Sequence, residues 1–105
     1  MSAAETLKDS NEQAANELVL FAINDSILYK HAVSIIDPLK LKVRREKYNA
    51  DKALILWQYH AEVAAKAYVK AFGSDTDKWH EMFNVQTRKL AAKEFAEYYH
   101  EHLCE

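Results

Sequence analysis

At 105 residues and a formal net charge of −2, the chain is the size of one domain. It lacks the overall basic excess by which polyanion binders attract their targets. A single glycine and a single proline, against average usage of about 7% and 5%, exclude a fold built on many tight turns. The apolar half of the sequence is rich in alanine and tyrosine, and the remainder in lysine and glutamate. Few, long helices are expected. The longest uncharged stretch in the central helical segment, residues 53–61, is far short of the ~20 residues that span a bilayer, so no membrane segment is expected. The opening MSAAETLKDSNEQ has no basic run followed by an apolar one, and serine at position 2 excludes myristoylation. Cys104 stands alone and cannot close an internal disulfide. A reducing compartment, most simply the cytoplasm, is the expected location.

Residues 1–9 are small and polar and are expected to be disordered, leaving 10–105 as one helical domain. Ser10 followed by Gln13 fits a capping box. From there Ala15, Leu18, Val19, Ala22 and Ile23 keep a helical stripe, which resumes after Asn24-Asp25-Ser26 as Ile27, Leu28, Ala32, Ile35 and Ile36. The interrupting residues favour caps and turns, so 11–36 reads as one kinked helix or two short ones. Asp37-Pro38 marks a helix start, with Asp as cap and Pro at the first helical position.

The chain is organised around the segment that follows. Leu54, Trp57, Ala61, Ala64, Tyr68 and Phe72 recur at three- and four-residue steps, the spacing of one helix face. Leu39, Val43 and Ala50 carry the stripe back to Pro38, although Glu46 and Lys47 occupy its seam and Asn49 offers a restart. A helix over 38–72 is the expectation, about 52 Å long at 1.5 Å per residue, with a break near Asn49 as the alternative. Gly73 ends it in the left-handed conformation that glycine adopts most cheaply. Residues 74–77 then cap a last helix over 75–102, whose apolar side carries Trp79, Phe83, Leu90, Phe95, Tyr98 and Tyr99. So short a connection folds it back antiparallel. Pairing about Gly73 places, to within a turn or so, Tyr68 near Trp79, Ala64 near Phe83, Trp57 near Leu90 and Ala50 near Glu97 and Tyr98. The fold expected is therefore all-α: this C-terminal hairpin packed on the helices of 11–36.

Candidate sites are sparse. KLKVRREK at 40–47 is the densest charge cluster, within a stretch carrying six positive residues against three negative from Asp37 to Lys52. Phosphates are one possible ligand, through Arg44 and Arg45; a solvated face matched by Glu97, Glu101 and Glu105 is the plainer reading. His100, His102 and Cys104 are competent metal ligands, and Glu97-Tyr-Tyr-His100 has the spacing used in di-iron bundles. Yet the two histidines fall on different sides of a helix, and Asp77-Lys-Trp-His80 lies about 30 Å along it. Neither metal nor cofactor is expected. His31 and His60 are isolated in the sequence. No nucleophile stands at a readable spacing from either, and one glycine leaves no room for a phosphate-binding loop. Hence no enzymatic activity is expected.

Tyr48, Tyr59 and one of Tyr98 and Tyr99 fall off the apolar stripes, and tyrosine is enriched in binding hot spots. With Lys40, Arg44 and Arg45 they form the expected partner-binding set, Lys40, Arg44, Arg45, Tyr48, Tyr59, Tyr98 and Tyr99. The function expected is a small non-enzymatic protein-interaction module, an adaptor, regulator or inhibitor that acts on a partner protein. A nucleic-acid-binding regulator using 40–47 is the alternative. Helices of about 25–35 residues in so short a chain leave only three or four layers, an elongated assembly that cannot cover all its own apolar faces. Leu18, Leu20, Phe21, Ile23, Ile27, Leu28, Ile35 and Ile36 also spread around more than one side of a helix. Such a helix needs cover on more than one side, and a homodimer is expected to supply it.

Overall fold

The computed structural model describes residues 3–73 and 76–104, with side chains for all of these except 3–9 and 76. Every regular element described is helical: α1 (Ala3–Ile23), α2 (Ser26–Arg44), α3 (Ala50–Ala71), a 3-10 turn (Thr76–Lys78), the single-turn α4 (Trp79–Met82), α5 (Val85–Tyr98) and the single-turn α6 (His100–Leu103). The all-α expectation holds. No single helix among the described residues is long and apolar enough to cross a membrane.

The backbone is helical from Ala3, so Ser10 lies inside α1 and its capping box does not start the helix. Ala, Glu, Leu and Lys at 3–8 are all good helix formers. Of the stretch expected to be disordered, Met1 and Ser2 lie outside the described residues. Two short helices, not one kinked one, follow. The Asn24 side chain donates to the Leu20 carbonyl at 2.8 Å, replacing a helical N–H. Asp25 then caps α2, its carboxylate accepting from the N–H groups of Ile27 at 2.9 Å and Leu28 at 3.0 Å. The axes turn by 93° at this joint.

Asp37-Pro38 is not the boundary expected from the sequence. α2 runs through it to Arg44. An interior proline costs about 3 kcal/mol, largely through a lost hydrogen bond. Here Ser34, Asp37 and Pro38 are all exposed, so water can reach the carbonyl left unbonded. Ala32, Ile35, Ile36 and Leu39 are buried on both sides of the proline. At about 1.5–3 kcal/mol for each large side chain enclosed, they outweigh the defect.

Nor is 38–72 one helix. α2 ends in a Schellman motif: Glu46 N–H donates to the Val43 carbonyl at 3.1 Å and Lys47 N–H to that of Lys42 at 2.8 Å. Glu46 takes the left-handed position, φ 58°, that glycine normally fills. Asn49 caps the restart by accepting from Lys52 N–H at 3.1 Å. The seam charges Glu46 and Lys47 gain nothing from burial, so the chain turns where they stand. With the longest helix 22 residues, the premise of very long helices behind the homodimer expectation is gone.

α3 packs against α1, α2 and α5. Trp57, Ala61 and Ala64 are buried as its stripe requires, but the buried face is rotated toward Ala53, His60 and Val69, leaving Phe72 exposed. Gly73, at φ 70°, fills the expected left-handed position. The antiparallel hairpin exists between α3 and α5, its register displaced from the pairing about Gly73 by about the one turn that pairing allowed. Tyr68 meets Phe83 at 5.1 Å and Trp57 meets Phe95 at 6.1 Å between ring centroids, a slip of about one turn. The connection causes it. Instead of one helix over 75–102, the chain makes a 3-10 turn and α4, then restarts at Asn84, which accepts from Thr87 N–H at 2.9 Å. Trp79 anchors this segment beneath the Lys66 and Arg88 cations, 5.0 and 4.8 Å from its ring. Asn11 ties α1 to the same restart, accepting from the Asn84 amide at 3.0 Å and from the buried Thr87 hydroxyl at 3.2 Å. α6 folds onto α2 and buries Leu103.

Because Glu46 holds a backbone conformation that costs an L-residue about 1–2 kcal/mol, Glu46→Gly should stabilise the chain by about 1 kcal/mol after glycine's own entropic cost. The expected readout is a raised urea midpoint with unchanged slope. A lowered midpoint would show that the turn at 45–49 is not formed this way.

Candidate functional site

The expected partner-binding residues do not come together. Arg44 and Arg45 are exposed at the end of α2, and Lys40 is half-buried. Tyr48 is half-buried against the core and lines a cleft of about 370 Å³ with Lys42, Lys47 and Lys52. Tyr59 opens onto a different cleft beside Arg88 and Lys89. Tyr98, 53% exposed, borders a third. Tyr99 offers no surface at all. It is 1% exposed, stacked on Trp57 at 5.2 Å, and burial first, then Tyr98 and Tyr29, push its hydroxyl up to about 12. Of the two adjacent tyrosines, Tyr98 is the one off the stripe.

The fold joins two histidines that are isolated in the sequence. The bend at 24–25 brings α2 alongside α3, and His31 Nδ1 lies 2.7 Å from His60 Nδ1 with the rings stacked at 4.9 Å. One nitrogen must donate and the other accept, so the contact holds one proton and not two. His60 is wholly enclosed, edge-on to Trp57 and Phe95. Burial and then His31 lower its pKa to about 4. His60 Nε2, Trp57 Nε1 and the Tyr99 hydroxyl are buried without a hydrogen-bond partner, which makes this aromatic layer a costly one to hold. Chemically the pair is a hydrogen-bonded contact with one proton between the facing nitrogens, His60 inside the core and His31 half-buried. His100 is exposed with Cys104 Sγ at 4.0 Å from its Nε2. Among the described residues no group of three or more His, Cys, Asp or Glu side chains is arranged to hold a metal ion.

The more open feature lies between α1 and α5. Val19, Leu20, Ile23 and Tyr98 floor a groove of about 710 Å³, with Glu94 and Glu97 along one wall. A second groove of about 450 Å³ adjoins it across Leu20 and is walled by Phe21, Tyr68, Phe72, Glu17 and Asp25. Leu20 and Phe72 are 58% and 65% exposed, large apolar side chains facing water on adjoining surfaces. Glu94 accepts from Asn16 when that amide nitrogen faces it. Its carboxyl is held above the usual range by burial first, then by the neighbouring charges of Glu97 and Glu12. No lysine, arginine or histidine lines either groove. The partner-binding set drawn from the sequence missed this surface apart from Tyr98. The signal was the spread of Leu18, Leu20, Phe21 and Ile23 around more than one side of α1.

No family model, no curated protein and no solved structure matches this chain.

His60 makes stability depend on pH with a definite sign. Its pKa falls from 6.5 to about 4 on folding, so between those values the unfolded chain binds the proton and the folded chain does not. The stability is fully present above pH 6.5 and is lost as pH falls toward 4, by on the order of 3 kcal/mol. His60→Asn, which keeps a polar atom toward His31, should flatten urea stability across that window. An unchanged pH profile would place the proton uptake elsewhere.

Proposed function

We propose that the chain is a non-enzymatic protein-interaction module, an adaptor, regulator or inhibitor, that seats a partner protein on the surface between α1 and α5. One observation carries the reading: Leu20, Tyr98 and Phe72 are exposed along two adjoining grooves. Single exposed apolar residues are ordinary on a protein surface, whereas contiguous ones rimmed by polar groups mark places where something binds. His60 supports no competing catalytic reading, because it is wholly enclosed and a general base must reach the proton it takes. The free, exposed Cys104 suits a reducing setting, and the cytoplasm is the compartment this reading carries with it.

A second reading keeps the basic run. Lys42, Lys47 and Lys52 line one cleft with Tyr48, a cationic surface beside an aromatic ring of the kind that holds phosphates and bases. A net charge of −2 works against it, since non-specific attraction to nucleic acid is electrostatic.

Affinity capture from the native host with three baits separates the two: the parent, Leu20→Glu, and Arg44→Glu with Arg45→Glu. The interaction reading expects a protein held by the parent and the arginine variant but lost with Leu20→Glu. Nucleic acid held by the parent, and released by the arginine variant or by moderate salt, would overturn it in favour of the second.

A further inference from the structure

The groove's own chemistry specifies what fits it. This step rests on the interaction reading above and narrows it to a partner class. From the walls and charges of the groove we infer that its occupant is a cationic amphipathic helix of a partner protein.

Three features of the surface carry the inference. First, the walls are helices. On α1, Ile23 stands three and four residues beyond Leu20 and Val19, as Glu97 and Tyr98 stand three and four beyond Glu94 on α5. The backbone hydrogen-bonding groups of these walls are satisfied inside their own helices, so the surface offers no open edge for a strand to pair with. A furrow between two packed helices takes a third helix, whose side chains settle between theirs. Second, the floor is apolar and Leu20 and Tyr98 stand exposed along it, so the occupant must bring an apolar stripe. Third, every charged lining residue is acidic. Glu94 and Glu97 wall one groove and Glu17 and Asp25 the adjoining one, with Asn16 and Asn24 as the neutral polar residues and no cation among the lining. Carboxylates crowded with their like are relieved by an arriving lysine or arginine, and the same rim repels an acidic helix or a phosphate backbone.

A second copy of this chain is the poorer occupant. Its densest basic segment is the end of α2, where Leu39 is buried and Val43 is packed against the core. Leu41 is the one large apolar side chain that segment exposes. The charge is present and the stripe is not.

The test uses the full chain and three fluorescein-labelled peptides of about five helical turns. The first carries leucines at i, i+3, i+4 and i+7 among lysines. The second has glutamates in place of the lysines. The third has the first peptide's composition with the stripe scrambled. Anisotropy titration at physiological salt should show the first bound at least tenfold more tightly than either control. Leu20→Glu should weaken it at least tenfold, and Glu94→Gln with Glu97→Gln should weaken it severalfold and flatten its salt dependence. Leu20 and Glu97 are exposed and Glu94 is half-buried; Tyr98→Ala gives an independent loss should one variant misfold by circular dichroism. Equal binding of the scrambled peptide, or binding of the first that ignores Leu20→Glu and Tyr98→Ala, overturns the inference. So does the absence of binding by all three. Leu20-dependent binding of the glutamate peptide overturns the charge assignment while leaving the interaction reading intact. Light scattering on the free chain adds one outcome: a particle twice 12.1 kDa that Leu20→Glu returns to monomer would show that a second copy fills the groove.

Discussion

The enclosure of Trp57 is the constraint on which the other helices are set. Its ring is 1% exposed, parallel to Tyr99 from the end of α5, near parallel to Phe95, and edge-on to His60 one turn along α3. An aromatic layer this large cannot be filled by a sliding contact, because the offset and edge geometries that aromatic rings favour fix both distance and register. The layer therefore sets how far α5 is displaced along α3. Through His31 it also reaches α2, which explains why a helix turned by 93° from its predecessor still docks on the centre. On either side of the rings the contact is made by small residues. Ala61, Ala64, Ala65, Ala91 and Ala92 are fully enclosed, letting the backbones approach closely enough for the large rings to interdigitate.

Much of the fold was legible in the sequence because its breaks are local chemistry. Asn24-Asp25, Asn49 and Gly73 all do in the structure what their side chains or lack of one suggest. The failures are of a different kind. Pro38 reads as a boundary by any local rule, and only the burial of Ile35, Ile36 and Leu39 around it reverses that reading. Glu46 occupies a glycine's conformation, for which a glutamate gives no signal. The last turn of the hairpin register needed the extent of the 3-10 turn and α4, set by contacts of Trp79 and Phe83 that pattern alone does not reveal.

The candidate surface was half visible. Apolar residues around more than one side of α1 predict that something covers them, but not which side the chain itself covers. In the fold Leu18 and Val19 turn inward and Leu20 stays out. The acidic rim is less legible still, since Glu17 and Asp25 border one groove and Glu94 and Glu97 the adjoining one, and only tertiary packing sets the two side by side. His31 and His60, 29 residues apart, meet for the same reason.

The structure thus divides its charge spatially: a basic cleft at the turn between α2 and α3, and an acidic, apolar furrow between α1 and α5. We propose that partner recognition belongs to the furrow. Backbone amide chemical-shift mapping with the lysine–leucine helix as titrant tests that assignment most directly. Shifts concentrated at residues 16–25 and 94–98, with little change at 40–52, are the predicted result. Shifts centred on 40–52, or spread evenly over the surface, would contradict it.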